Sequence, residues 1–275
     1  MTEVILNLKS NAPTQPVDLR QVTPDIFAGK TLNEISHIEI WIGNMKSNIV
    51  SIFEITGESS RTPEETTIIV NGELPNSRRI GAKMTTGNII LNGKSGLYVG
   101  SEMKGGKIIV NGDVGEWAGI GMKNGVIEVE GNAGNFVGSA YRGTRLGMKG
   151  GQIIIKGDSG IELGVWMKGG TIKVMGNVSH SPGTHMLGGS ILILGNCQSR
   201  VGASMTGGKI VVVGKTEDIL AGFQIEEIKD KVKVDDEKIS GPFYCYSGDH
   251  AEEGKGKIFI HKENNSHLSS YEEYL

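Results

Sequence analysis

His180 and His185 are separated by a short stretch that includes Ser181, Pro182 and Gly183, a spacing from which a metal site could begin. A metal centre needs further ligands at fixed geometry, and no neighbouring stretch offers a matching histidine. A solvent-facing or hydrogen-bonded pair is the simpler reading. Asp249 and His250 are adjacent and could act as acid and base, or could cap a chain reversal. Asp113 and Asp158 follow glycines in positions where other parts of the chain place Asn132, Asn177 and Asn196, so a turn-forming role accounts for them better than a carboxylate site. The two cysteines, Cys197 and Cys245, are too few for an iron–sulfur site, a Cys-rich zinc site or a disulfide framework. Cys197 reads as a small buried hydrophobe. No nucleophile–base–orienter constellation emerges, and no residue is assigned as catalytic, cofactor-binding or metal-binding.

The methionines carry a stronger pattern. Met84, Met103, Met122, Met148, Met167, Met186 and Met205 recur at one constant interval, broken once by a longer step between Met122 and Met148. Three residues after each stands a glycine: Gly87, Gly106, Gly125, Gly151, Gly170, Gly189 and Gly208. Five after is always isoleucine, seven after is aliphatic, and nine after is glycine again. The methionines are read as flexible filling for uneven corners, with a metal-binding or redox ladder as the rival reading.

These columns dictate the elements beneath them. Two aliphatic residues two apart, flanked by glycine turns, make one short strand with an inward face. The unit from one methionine to the next is too short for a crossover helix and lacks the helical periodicity of ankyrin or tetratricopeptide units. The economical arrangement is all-β: a single-stranded parallel β-helix, or solenoid, of about eight coils. At the usual strand spacing this is a rod on the order of 35–40 Å long. Ile68, Val70 and Gly72 begin a weaker coil in phase, with residues 74–79 lengthening its arc. Ile38, Ile40 and Ile42, then Ile52, Phe53 and Ile55, read as strands of a cap, which solenoid ends require. The expected division is an N-terminal extension and cap over 1–62, repeats over 63–217, and a C-terminal cap and tail over 218–275. The tail from Lys262 is expected to be mobile.

The one longer step comes from seven extra residues, Tyr141-Arg142-Gly143-Thr144-Arg145-Leu146-Gly147. A plain surface loop explains them. So does a recognition loop, since loops on rigid scaffolds carry binding and Tyr and Arg are enriched at contact hot spots. Tyr141, Arg142, Arg145 and His250 are the interface candidates, with the arginines pairing to partner carboxylates and the exposed sheet face offering further contact.

Composition bounds the function classes. Glycine accounts for 42 of 275 residues, about twice the ordinary share, without the proline of collagen or disorder. The net charge is −3 and no Lys/Arg cluster stands out along the chain, which argues against nucleic acid. No apolar run approaches a membrane span and the start lacks a leader pattern, so the expected compartment is the cytoplasm. Acidic and aromatic columns of the kind used by carbohydrate-cleaving β-helices are missing, and no Gly-x-Gly opens a helix to cradle phosphate.

The unit Gly100-Ser101-Glu102-Met103-Lys104-Gly105-Gly106-Lys107-Ile108-Ile109-Val110-Asn111-Gly112 resembles the C-terminal domain of the glutamate synthase large chain, and still more the C subunit of formylmethanofuran dehydrogenase. The resemblance is strong over about 63–215. It extends through Asp25-Ile26-Phe27-Ala28-Gly29-Lys30, Gly138-Ser139-Ala140-Tyr141-Arg142-Gly143 and Gly248-Asp249-His250-Ala251, pieces similar to the stand-alone protein of that complex. It implies a right-handed β-helix acting as a non-catalytic scaffold in a complex that reduces CO2 and formylates methanofuran, or runs in reverse. The resemblance places a tungsto- or molybdopterin, iron–sulfur clusters and a binuclear metal site in partner subunits: a pterin/iron–sulfur subunit and an amidohydrolase-like subunit. A related formyltransferase/hydrolase complex uses a similar scaffold without the redox step. A glutamate-synthase-like accessory domain and an autonomous enzyme or carbohydrate binder are the other classes weighed.

Overall fold

The structure, a computed structural model, describes residues 2–275. The alternation read from the repeats sets the inward face of each short strand. In the Lys107–Val110 strand, Ile108 and Val110 are fully buried while Lys107 and Ile109 are half-buried. Eight such strands, from Thr66–Asn71 to Lys209–Val212, pair in parallel with their neighbours inside one 13-stranded sheet. Registers align Ile89, Ile108, Ile127, Ile153, Ile172, Ile191 and Ile210 side by side, without a slip across the longer unit. Helices are few and short, so the molecule is predominantly β.

A second in-register column runs through Ser95, Val114, Ala133, Ser159, Val178, Cys197 and Thr216, each bridged in parallel to the next. Beside it, Asp and Asn side chains tie each unit to the following one. Asp113 Oδ1 accepts from the Asn132 amide at 2.9 Å, and Asn132 Oδ1 from the Asp158 amide at 2.8 Å. Asp158 Oδ1 accepts from the Asn177 amide at 2.6 Å, and Asn177 Oδ1 from the Asn196 amide at 2.9 Å. This is the turn role expected of Asp113 and Asp158. All seven repeat methionines are fully buried, inside the same apolar core as the isoleucine column. Each buried aliphatic there contributes roughly 1.5–3 kcal/mol before entropy is subtracted.

Two expectations are corrected, that of an open outer sheet face and that of a mobile tail. The Thr2–Leu8 strand, which no sequence signal marks, joins the sheet, parallel to Thr66–Asn71 with Val4 opposite Ile68 and Leu6 opposite Val70. Phe53–Gly57 then closes that edge antiparallel. At the far end, Gly256–His261 adds a parallel strand to Lys209–Val212, and Gln224–Val234 and Glu237–Gly248 form a long hairpin beyond it. That hairpin also folds over the outer sheet face. Leu192, Val211, Val232, Val234, Phe243, Cys245 and Phe259 make a second buried cluster, and Asp235 accepts from Thr171 Oγ1 at 2.7 Å. The outer face is therefore partly covered by the chain itself. Finally, the tail is anchored. The 3-10 segment Glu263–Tyr274 buries Asn265 and Leu268. Asn265 accepts from the Thr216 amide at 2.8 Å and donates to the Gly214 and His261 carbonyls.

Candidate interface at the interrupted repeat

The seven extra residues leave the ladder at one point and return to it at another. In regular units the methionine amide donates to the glycine three residues back, as Met103 does to Gly100 and Met122 to Gly119. Met148 donates instead to Gly138 at 2.9 Å, so the insertion is looped out at its base. Within it, Thr144 turns back on Tyr141 through both its amide and its hydroxyl, helped by Gly143 at φ +83° with open space around it. Below the loop, buried Ser139 donates to the Glu162 carbonyl at 2.6 Å and accepts from the Val165 amide at 3.1 Å. The loop's base is rigid and its crest is exposed.

Two stacked ladders flank the loop. Tyr98, Trp117 and Phe136 occupy one corner in successive units, all with positive φ. Their rings stack at 5.5 Å and 4.6 Å between centroids. Arg79 lies over Tyr98 at 5.4 Å, and Arg142 of the loop lies over Phe136 at 5.5 Å. A guanidinium thus closes each end. In the second ladder Arg145 of the loop lies 4.8 Å over Trp166, which stacks on His185 at 4.4 Å. Cation–π contacts at exposed sites are worth about 0.5–1 kcal/mol each, so the loop arginines have internal work as well as any external one. Positive φ costs a non-glycine residue about 1–3 kcal/mol, offset here by ring stacking.

Asp18 fixes the outer guanidinium. It pairs with Arg79 at 2.7 Å and with Arg20. Burial pushes its carboxyl up, but hydrogen bonds and charge from Arg20, with the charge of Arg79, outweigh burial and hold it below the usual carboxylate range. Burial raises the Tyr98 phenol, with Tyr141 adding to the effect.

The predicted interface residues are only partly brought together. Tyr141 is 54% exposed with its ring 6.1 Å from Trp117, and Arg142 and Arg145 follow it in the loop, each over a different ring ladder. His250 is elsewhere, in a short turn against the last regular unit, where its amide donates to Gly222. Asp249 beside it accepts from the Ser204 and Ala251 amides, the capping role rather than acid–base chemistry. His180 bonds Ser199 at 3.0 Å and His185 stacks on Trp166, so the two do not form a ligand pair. The ladder Tyr98–Trp117–Phe136 is not evident from sequence, although its members share the spacing of the repeat.

Among the described residues, Glu226, Glu227 and Cys245 are the one group whose potential ligand atoms lie within 4.8 Å of one another. Glu226 pairs with Lys257 and Glu227 with Lys229, and burial pushes the Cys245 thiol up to about 11. Burial likewise lifts Cys197 to about 12. A protonated buried thiol is a poor metal ligand, and two separate cysteines do not fit an iron–sulfur cluster. No helix is long and apolar enough to cross a membrane among the described residues.

Residues 142–258 match the GXGXG motif family. The chain is 57% identical to the C subunit of the tungsten-containing formylmethanofuran dehydrogenase 2 of Methanothermobacter thermautotrophicus over 269 residues, 98% of this chain and 99% of that one. It is 42% identical to the protein of the same name from Methanothermobacter wolfeii over 99 residues, a match that spans 36% of either chain. Among solved structures it is similar to one chain in the formyltransferase/hydrolase complex of Methylorubrum extorquens in complex with methylofuran. The TM-score there is 0.82 at 26% identity, covering 94% of this chain and 99% of that one.

Proposed function

The chain belongs to the family of formylmethanofuran dehydrogenase C subunits, and from that premise we propose that it is the non-catalytic scaffold of such a complex. The complex would reduce CO2 and attach it to methanofuran as the N-formyl derivative, in one-carbon metabolism leading to methanogenesis, in the cytoplasm. The observation that carries this reading is 57% identity over 98% of the chain to a named member of that complex, combined with candidate site residues, His180, Asp249, Asp113 and Asp158, whose side chains serve hydrogen bonds, caps and turns. The tungsto- or molybdopterin, iron–sulfur clusters and binuclear metal site would reside in partner subunits, since this chain's donor set does not fit them.

The in-register parallel columns and the constant interval between units support a right-handed parallel β-helix. In it, 1–62 and 218–275 act as caps and 63–217 as the coils. The 141–147 loop, with Tyr141, Arg142 and Arg145, would be the contact with partners, and His250 a second contact at the far end. A hydrolytic complex without the redox step is the alternative, favoured by the structural likeness to the Methylorubrum assembly.

Purification of the tagged chain from its own cells, with mass spectrometry of partners and elemental analysis, tests both. A pterin/iron–sulfur subunit with tungsten or molybdenum and an amidohydrolase-like subunit is the expected recovery. An amidohydrolase-like partner without either metal selects the hydrolytic complex, and a solitary chain overturns the scaffold reading.

A further inference from the structure

No basic cluster is visible along the linear chain, yet the stacking assembles one. The residue after the repeat methionine is lysine in four successive units: Lys104, Lys123, Lys149 and Lys168. Their amides donate to Met84, Met103, Met122 and Met148 at 2.7–2.8 Å, which sets them one above another at the strand spacing. All four are exposed. None makes a salt bridge or a side-chain hydrogen bond among the described residues, unlike Lys94, Lys107, Lys156 and Lys173, which pair with Asp113, Glu128, Glu130 and Glu237. Directly neighbouring like charges are destabilising, and no carboxylate among the described residues pairs with these four.

The strip borders a groove of about 390 Å³ beside the insertion, lined among others by Tyr98, Ile120, Lys123, Tyr141, Leu146 and Lys149. Leu146 is 56% exposed there. The one carboxylate on its edge, Glu102, faces Lys83 at 3.8 Å. Four unpaired ammonium groups over about 14 Å, the reach of four or five extended residues, lie next to an apolar recess.

We propose that Lys104, Lys123, Lys149 and Lys168, with this groove, form a docking strip for an extended acidic segment of a partner chain that carries one apolar side chain into the recess. The charge complementarity is what selects the occupant. The proposal rests on the assembly reading above and gives that interface its chemistry.

The test uses the full-length chain and a fluorescein-labelled dodecapeptide of alternating Glu and Leu, with a Gln-for-Glu peptide as control. Anisotropy should show the Glu peptide binding with an affinity that falls as salt rises. Replacing all four lysines by Gln should weaken it on the order of tenfold. Replacement by Arg should leave it within about twofold. The double variant Lys123→Gln/Lys149→Gln should lie between, and serves if the quadruple one does not fold. Recovery of partner subunits from cells should fall in the same order. Equal binding of the Gln peptide, or unchanged binding and recovery by the Gln variants, overturns the strip while leaving the scaffold standing. If the wild-type chain recovers no partner, the assembly reading fails separately, and the peptide measurement still decides the strip.

Discussion

The terminal methyl of Met103 occupies the space that a side chain on Gly125 would need: a Cβ there would lie 2.7 Å from Met103 Cε. The same relationship links Met84 to Gly106, Met122 to Gly151, Met148 to Gly170, Met167 to Gly189 and Met186 to Gly208. The methionine and glycine columns are thus two halves of one contact made between consecutive units. Gly125→Ala must push Met103 aside, crowd the Gly106 carbonyl oxygen at 2.8 Å and hold alanine at φ +97°. It should cost about 2–4 kcal/mol, read as a lowered unfolding midpoint. Met103→Ala leaves a cavity and should cost about 2–5 kcal/mol. The double variant should lose less than the sum of the two, because the shortened residue 103 removes the side-chain part of the clash while the Gly106 carbonyl stays close. Strict additivity would separate the two columns.

Asp18 gives a pH signature. Its folded carboxyl titrates below the unfolded value, so its stabilisation is present above about pH 4 and lost as pH falls through the folded value. Asp18→Asn should be less stable than wild type at pH 7 by about 1–2 kcal/mol. The gap should close on acidification below about pH 4. A gap that stays constant through the whole acid range would mean the Arg20 and Arg79 contacts contribute nothing to folding.

Trp117 inverts the usual ranking of small residues. It sits at φ +57° between the rings of Tyr98 and Phe136. Both Trp117→Ala and Trp117→Gly lose the stacked contacts with Tyr98 and Phe136, each worth about 0.5–1.5 kcal/mol, and the looser one with Tyr141. Alanine keeps the left-handed strain and glycine does not, so Gly should be the more stable variant by roughly 1 kcal/mol. Thermal melts of the two variants decide it.

Asn265 should matter more than its place near the end suggests. Asn265→Ala leaves the Thr216 amide and two carbonyls without their partner, at about 2–4 kcal/mol. Faster hydrogen exchange at the Thr216 amide is the local readout. Wild-type exchange rates there in the variant would place the tail's anchoring elsewhere.

How much of the fold is legible in the sequence follows from how many times each contact is repeated. The isoleucine and methionine columns recur seven times, and their phase survives the longer unit. The Asp113 and Asp158 turns are readable because asparagines stand in the same column. The Thr2–Leu8 strand is not, since its partner Thr66–Asn71 lies far along the chain and Val4 and Leu6 form too short an alternation to stand out. The Tyr98 ladder has three members, and their identities vary. The lysine strip is split by the longer step of the repeat, which hides it from a scan for adjacent charges. Asn265 gives no signal because one buried amide in a polar segment carries no periodicity.

The hydrogen bond from Met148 to Gly138 has a consequence for how such a chain can change its length. The unit from Ile68 to Ile89 is already longer than the one from Ile89 to Ile108, yet both pairs stay in register, so added residues must fall in the arcs and not in the strands. A gain whose two ends meet across that single bond leaves the phase intact, however many residues it holds. The stack therefore admits changes of length wherever the strands on either side keep their register, and the corner after Gly138 is where a foreign segment could be grafted without disturbing what lies on either side.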